Sequence, residues 1–201
     1  SARLSLLSAD GGVVAAQDAL PPLNVIPPHA SLPLTVFFPP PAPLDARPRA
    51  QILSATSLAP NDARYLPAAL GTPRIEIAAD GRTARVSGEV SLPADAAPAQ
   101  TVWVAAVAYD GLGRVVGFRR WEGSGLQPGV SLPFQLTVSS LGSRVTSGTR
   151  WTTLVAAISS SAGSLATSRR VLATATSGVI GQTVTAPSVL TTSGSSRSTS
   201  I

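Results

Sequence analysis

The residues with catalytic potential are few and scattered. His29 is the single histidine. A Ser-His-Asp arrangement needs that base held by a carboxylate and touching a nucleophile. His29 instead sits in Pro27-Pro28-His29-Ala30, a turn context. The three glutamates, Glu76, Glu89 and Glu122, are dispersed, so the facing carboxylates that glycoside cleavage requires are not expected. Asp10, Asp80 and Asp110 each precede a glycine. Calcium loops need several oxygen ligands close in sequence, so turn chemistry accounts for these three aspartates. The Gly111, Gly113 and Gly117 series has the wrong spacing for a dinucleotide loop, and no helix signal follows it. The chain has no Cys, which removes disulfides and thiolate metal or redox sites. No catalytic residue, metal site or cofactor is expected, and the chain reads as a non-enzyme.

Candidates for binding are aromatic and basic. Trp103 lies in the most apolar run and reads as core. Trp121 follows Arg119-Arg120 at a strand end, so Trp121, Arg119 and Arg120 form the candidate ligand or partner contact. The net charge is +5. All ten acids and ten of the fifteen arginines fall within residues 1–122, which are therefore neutral. The excess comes from Arg144, Arg150, Arg169, Arg170 and Arg197, spread along the chain with Trp151 as the sole aromatic after Phe134. Nucleic-acid modules cluster basic residues, often with stacking aromatics, so nucleic acid is not an expected partner. No run approaches the ~18 apolar residues of a membrane span. Without a starting Met, the chain is expected to be a processed product or a fragment.

The elements that would position these residues read as strands, with no capped helical period. Arg74–Ala78 and Thr83–Val90 flank Asp80-Gly81, a hairpin signal in which both turn positions favour positive φ. Thr101–Tyr109 is nearly continuous apolar sequence, as in a strand covered on both faces or central in a sandwich. Arg114–Trp121 returns from the Asp110–Gly113 turn. Leu132, Phe134, Leu136 and Val138 alternate, giving one buried face. Thr152–Ile158 is the last strand.

The chain also repeats itself. Asp10-Gly11, Ile26, Pro28 and Ser31-Leu32-Pro33 recur as Asp110-Gly111, Leu126, Pro128 and Ser131-Leu132-Pro133, at a constant offset of 100. A second block, from Arg47, lines up with the block from Arg150. A period near 100 residues is the size of one β-sandwich domain. The expected organisation is an incomplete sandwich repeat over 1–58, a complete one over 59–158, and a Ser/Thr-rich low-complexity tail over 159–201. The first repeat would hold strands at Ala2–Ser8 and Ala50–Ala55, with a rigid loop at Pro39–Pro43. Residues 56–73 would connect the repeats and supply an edge strand. Residues 139–201 hold one of the 18 prolines, Pro187, and none of the ten acids.

The stretch Ala106-Val107-Ala108-Tyr109-Asp110, followed by Gly113–Val116, Leu126, Pro128-Gly129, Ser131 and Phe134, resembles bacterial FxLYD-type immunoglobulin-like domains. The family's Phe and Leu before Tyr-Asp are Ala106 and Ala108 here. The first copy has Ala9 for the Tyr and His29 for the Gly. The resemblance covers roughly 70–158 well and 1–58 in part. It implies tandem immunoglobulin-like β-sandwiches in an extracytoplasmic, non-catalytic module of a bacterial cell-envelope or secreted protein, with any membrane anchor upstream. A protein partner or self-assembly is the expected interaction. The alternatives are a carbohydrate- or peptide-binding module, or an accessory domain of a larger extracellular enzyme. A sandwich lacking its opening hairpin leaves an edge that recruits strands. Completion is expected, in this order, from upstream sequence, from the tail (Val171–Thr176 or Val179–Val184), or from packing by the second repeat.

Overall fold

A computed structural model of the chain describes residues 1–27, 29–41, 45–59, 62–159 and 183–185. The strands are β1 (Ala2–Leu7), β2 (Val13–Ala19), β3 (Thr35–Phe37), β4 (Arg47–Ile52), β5 (Tyr65–Leu66), β6 (Ala69–Leu70), β7 (Arg74–Ile77), β8 (Thr83–Ser91), β9 (Ala99–Tyr109), β10 (Val115–Leu126), β11 (Ser131–Ser139), β12 (Arg150–Ser159) and β13 (Thr183–Thr185). The described residues contain no helix, and every strand pair is antiparallel. Pro28, residues 42–44 of the proline loop, the Val171–Thr176 strand and most of the tail lie outside the described residues.

The second half has the two-layer form of a β-sandwich. One sheet runs β10-β9-β12-β5 and the other β11-β8-β6, with β7 also pairing β8. Period-2 alternation places Val102, Val104 and Ala106 of β9 against Val86 and Val90 of β8 and Phe134, Leu136 and Val138 of β11. The 56–73 connection contributes two short edge strands: β5 extends the first sheet at Ile158 and Ala157, and β6 extends the second at Ser91 and Val90.

The other face of β9 explains its continuous apolar sequence. Ala105 and Val107 there pack with Leu23 and Leu32, which are 0% and 7% exposed, and with Val25, Ile26, Phe118 and Leu154. The irregular chain after β2 thus lies across the outer face of the sandwich. A strand with no solvent face can be apolar at every position. The expected strand buried on both sides is found. Its cover comes from the irregular segment between β2 and β3.

The first half forms the sheet β2-β1-β4, and its pairing reproduces that of β10-β9-β12. Leu7 faces Val13 and Leu6 faces Ala15, so a bulge falls at Val14. Tyr109 faces Val115 and Ala108 faces Gly117, so the same bulge falls at Val116. Leu7 faces Arg47 and Leu4 faces Ala50, while Tyr109 faces Arg150 and Ala106 faces Thr153. The alignment of Arg47 with Arg150 is therefore kept.

The hairpin corrects the constant offset. Ser8 N donates to Gly12 O and Gly11 N to Ser8 O; Asp110 N donates to Arg114 O and Gly113 N to Asp110 O. Ser8 thus matches Asp110, and Asp10 stands two places later. Each turn needs a residue with positive φ at its fourth position, supplied by Gly11 (86°) and Gly113 (76°). That requirement fixes the hairpin geometry, and the aspartate is free to sit elsewhere in the loop. Beyond it the offset of 100 holds: Ala30 N donates to Pro27 O as Val130 N does to Gln127 O, and His29 (φ 62°) stands where Gly129 (68°) does.

The Asp80-Gly81 turn also differs from expectation. Only Gly81 has positive φ, at 63°. Ala78 N reaches Thr83 O, and Gly81 N reaches Ala78 O, so the loop is longer than a two-residue turn.

Candidate interaction surface

Trp121, Arg119 and Arg120 are adjacent on β10, so they alternate between faces. Trp121 opposes Val104 and turns inward, its ring 5.9 Å from that of Phe134 at 50°. It is half-buried against the sandwich core. Arg119 is exposed. Arg120 lies on the opposite face from Trp121, its guanidinium 5.1 Å from the Trp103 ring centroid. Arg120 Nη1 also donates to Pro22 O at 3.3 Å, and Nη2 is 3.7 Å from Glu122 Oε2. These three residues do not converge on one surface. Arg120 instead ties the segment after β2 to the sandwich. Trp103, read from sequence as core, is half-buried on this outer face among the residues that segment covers. Its indole N–H is buried without a hydrogen-bond partner.

Several of the acids serve turns and ion pairs. Asp110 Oδ1 accepts from Leu112 N and Arg114 N, each at 2.9 Å, and Oδ2 pairs with Arg114 Nε at 2.7 Å. The Arg114 backbone donor chiefly holds this carboxyl below its ordinary range. Asp10 is lowered mainly by the Ser8 hydroxyl. Asp62, gripped by the Arg64 guanidinium at 2.9 and 2.6 Å, falls to about 2. Glu76 sits between Arg74 at 2.9 Å and Arg85 at 4.0 Å. Burial raises the Tyr109 phenol, against the opposing pull of Arg150, which lies 4.6 Å from its ring centroid. His29 is exposed in its turn. Among the described residues no three of His, Cys, Asp and Glu gather as a metal site, and no helix is long and apolar enough to cross a membrane.

Among the described residues, a surface with unmet bonding capacity is the β2-β1-β4 sheet. Ala2, Leu4 and Leu6 on the inner side of β1 are buried, as are Ala19 and Phe38. Burial then fails outward: Ile52 and Leu53 at the end of β4 are 47% and 43% exposed, and Val13 and Val14 on β2 are 65% and 46% exposed. Among the described strands neither β2 nor β4 has an outer neighbour, whereas β12, the counterpart of β4, has β5. The outer face is polar. Arg3 Nε meets Asp18 Oδ1 at 2.8 Å and Nη2 meets Oδ2 at 3.2 Å, which lowers the Asp18 carboxyl and raises Arg3. A shallow depression of about 250 Å³ beside this pair is lined by Ser5, Ala16, Arg49 and Gln51 among others. The sequence led to the expectation of an incomplete repeat here but to no contact residue on this sheet. The exposed apolar residues at its edges were the available signal.

The fold therefore defines an all-β protein of antiparallel sheets with a β-sandwich in its second half. No family model matches the chain, and no curated protein or solved structure matches it.

Proposed function

We propose that the chain is a non-catalytic structural or interaction module that associates by strand addition at its first repeat. The observation that carries this reading is the sheet β2-β1-β4, whose two outer edges lack partners among the described strands while Val13, Val14, Ile52 and Leu53 stand exposed beside them. Unpaired N–H and C=O groups next to apolar side chains form a template for another strand. The repeated bulge, turn and register support tandem immunoglobulin-like sandwiches, the first incomplete. The resemblance to FxLYD-type domains supports placement in a bacterial cell envelope or secreted protein. The packing of Trp121 against Phe134 weighs against a sugar-stacking role.

Sedimentation of the full chain tests the proposal. Self-association should rise with concentration. The pair Ile52→Lys and Leu53→Lys, which puts charge on the β4 edge, should weaken it by about tenfold or more, equal to ~1.4 kcal/mol. A chain that stays monomeric across the range, or a double variant that associates as strongly as the parent, would sink this reading.

A further inference from the structure

We propose that the C-terminal segment carrying β13 is the donor strand that completes the first repeat of its own chain. β13 pairs with β3: Thr183 faces Phe37, Val184 faces Val36 and Thr185 faces Thr35. The counterpart of β3 is β11, because Pro27–Ala30 and Gln127–Val130 form the same turn at an offset of 100. At the end of the strand exposure agrees, since Phe37 is open and Phe38 buried, as are Thr137 and Val138, while Val36 is half-buried where Leu136 is buried. In the complete sandwich β11 is paired by β8: Thr137 faces Arg85, Leu136 faces Val86 and Gln135 faces Ser87. Thr183, Val184 and Thr185 therefore take, against β3, the register positions that Arg85, Val86 and Ser87 take against β11. Both pairings are antiparallel.

β8 precedes β9 in the chain, so a β8 equivalent from the first repeat itself would lie before β1. β13 reaches the same register position from the opposite end of the sequence. The chain between Ser159 and Thr183 has an extended reach on the order of 75 Å. That length permits delivery within one molecule. The ladder is short, with three residue pairs against nine for β8 and β11, so its strand can be exchanged for another. The tail is then a tethered, displaceable partner for one edge of the repeat, while the β2 and β4 edges remain open to other molecules. This assignment rests on the strand-addition reading and names the donor for one edge.

The absence of cysteine makes the test clean. Full-length chains carrying V36C with V184C, or T35C with T185C, place cysteines directly across the ladder. V36C with T185C places them out of register. Mild oxidation followed by non-reducing electrophoresis and mass spectrometry reads the result. The two in-register pairs should give most of the protein as an intramolecular disulfide, and the off-register pair far less. Val184→Pro, which removes a backbone donor from the ladder, should lower the melting temperature and increase self-association of the parent chain. Disulfide-linked dimers and ladders in place of the internal bond would overturn donation within one chain, yet leave strand addition standing. Equal cross-linking of all three pairs, or none, together with an inert Val184→Pro, would overturn the donor assignment. Strand addition itself is decided separately, by the sedimentation of the parent chain and its β4-edge variants.

Discussion

Phe134→Ala tests the sandwich and its relation to the first repeat together. The Phe134 ring is 3% exposed and stacks at a tilt on Trp121. It also lies flush against β8, where a Cβ built on Gly88 would come within 3.0 Å of its Cε1. The neighbours on that side are backbone, which cannot collapse into a void. Truncation should therefore cost about 3–5 kcal/mol, the upper range for a buried ring. At about 2–4 °C per kcal/mol for a chain of this size, the melting temperature should fall by about 6–20 °C. Urea unfolding followed by tryptophan fluorescence measures the change. The slope should be unchanged, so that the midpoint alone reports stability. Leu34, the counterpart of Phe134 in the first repeat, is half-buried. Leu34→Ala should cost only about 1–2 kcal/mol, below the usual range for a fully buried leucine. A loss under 1 kcal/mol for Phe134→Ala, or equal losses at both sites, would refute the register and the incompleteness of the first repeat.

Gly81→Ala should destabilise by about 1–3 kcal/mol, because φ is +63° and the added Cβ would sit 2.8 Å from Val145 O; circular-dichroism melts that match the parent would disprove the close approach. Arg120→Ala should cost about 1 kcal/mol by releasing Trp103 and Pro22, with a red shift in fluorescence, and an unshifted spectrum would show that the segment after β2 is held by other contacts. Asp62 has a folded pKa lowered from 3.8 to about 2, so its stabilising contribution is complete above the unfolded value and is lost as pH falls through about 2. Its carboxyl resonance should titrate near that value, and Asp62→Asn should flatten the acid limb of stability; an ordinary midpoint would contradict the Arg64 pairing. Tyr109 should ionise above 10 by ultraviolet titration, and later still in Arg150→Ala, since the arginine opposes the effect of burial.

Much of the fold was legible because its signals are local. The apolar run Thr101–Tyr109 and the alternation from Leu132 to Val138 each declare a strand locally, whereas the last strand of the first half, expected at Ala50–Ala55, runs Arg47–Ile52, a proline-containing stretch with no apolar alternation. The hairpin offset was misread because aspartate and glycine pairs align well as letters, whereas the structure repeats the glycine with positive φ. The tryptophans show a second limit. The β9–β10 register, shifted by the bulge at Val116, places Trp103 and Trp121 on opposite faces of their sheet, and alternation within either strand does not tell which face carries the main core. That depends on the irregular, proline-containing stretch from Leu20 to Leu34, which has no period to read. The sheet edges that stay open among the described strands depend on long-range pairing, which no local period in the sequence declares.

The burial of β9 on both faces, between β10 and β12, also sets an order for backbone amide exchange. Amides from Val102 to Ala108 are enclosed by a ladder on each side and by side chains above and below. Their protons leave only when the whole sandwich opens, so they report the global unfolding free energy. Amides on the outer edges of β2 and β4 exchange by local fraying and should be lost first. Deuterium uptake should therefore spread inward from the first repeat toward β9, marking in time the same boundary that separates the open sheet from the closed one.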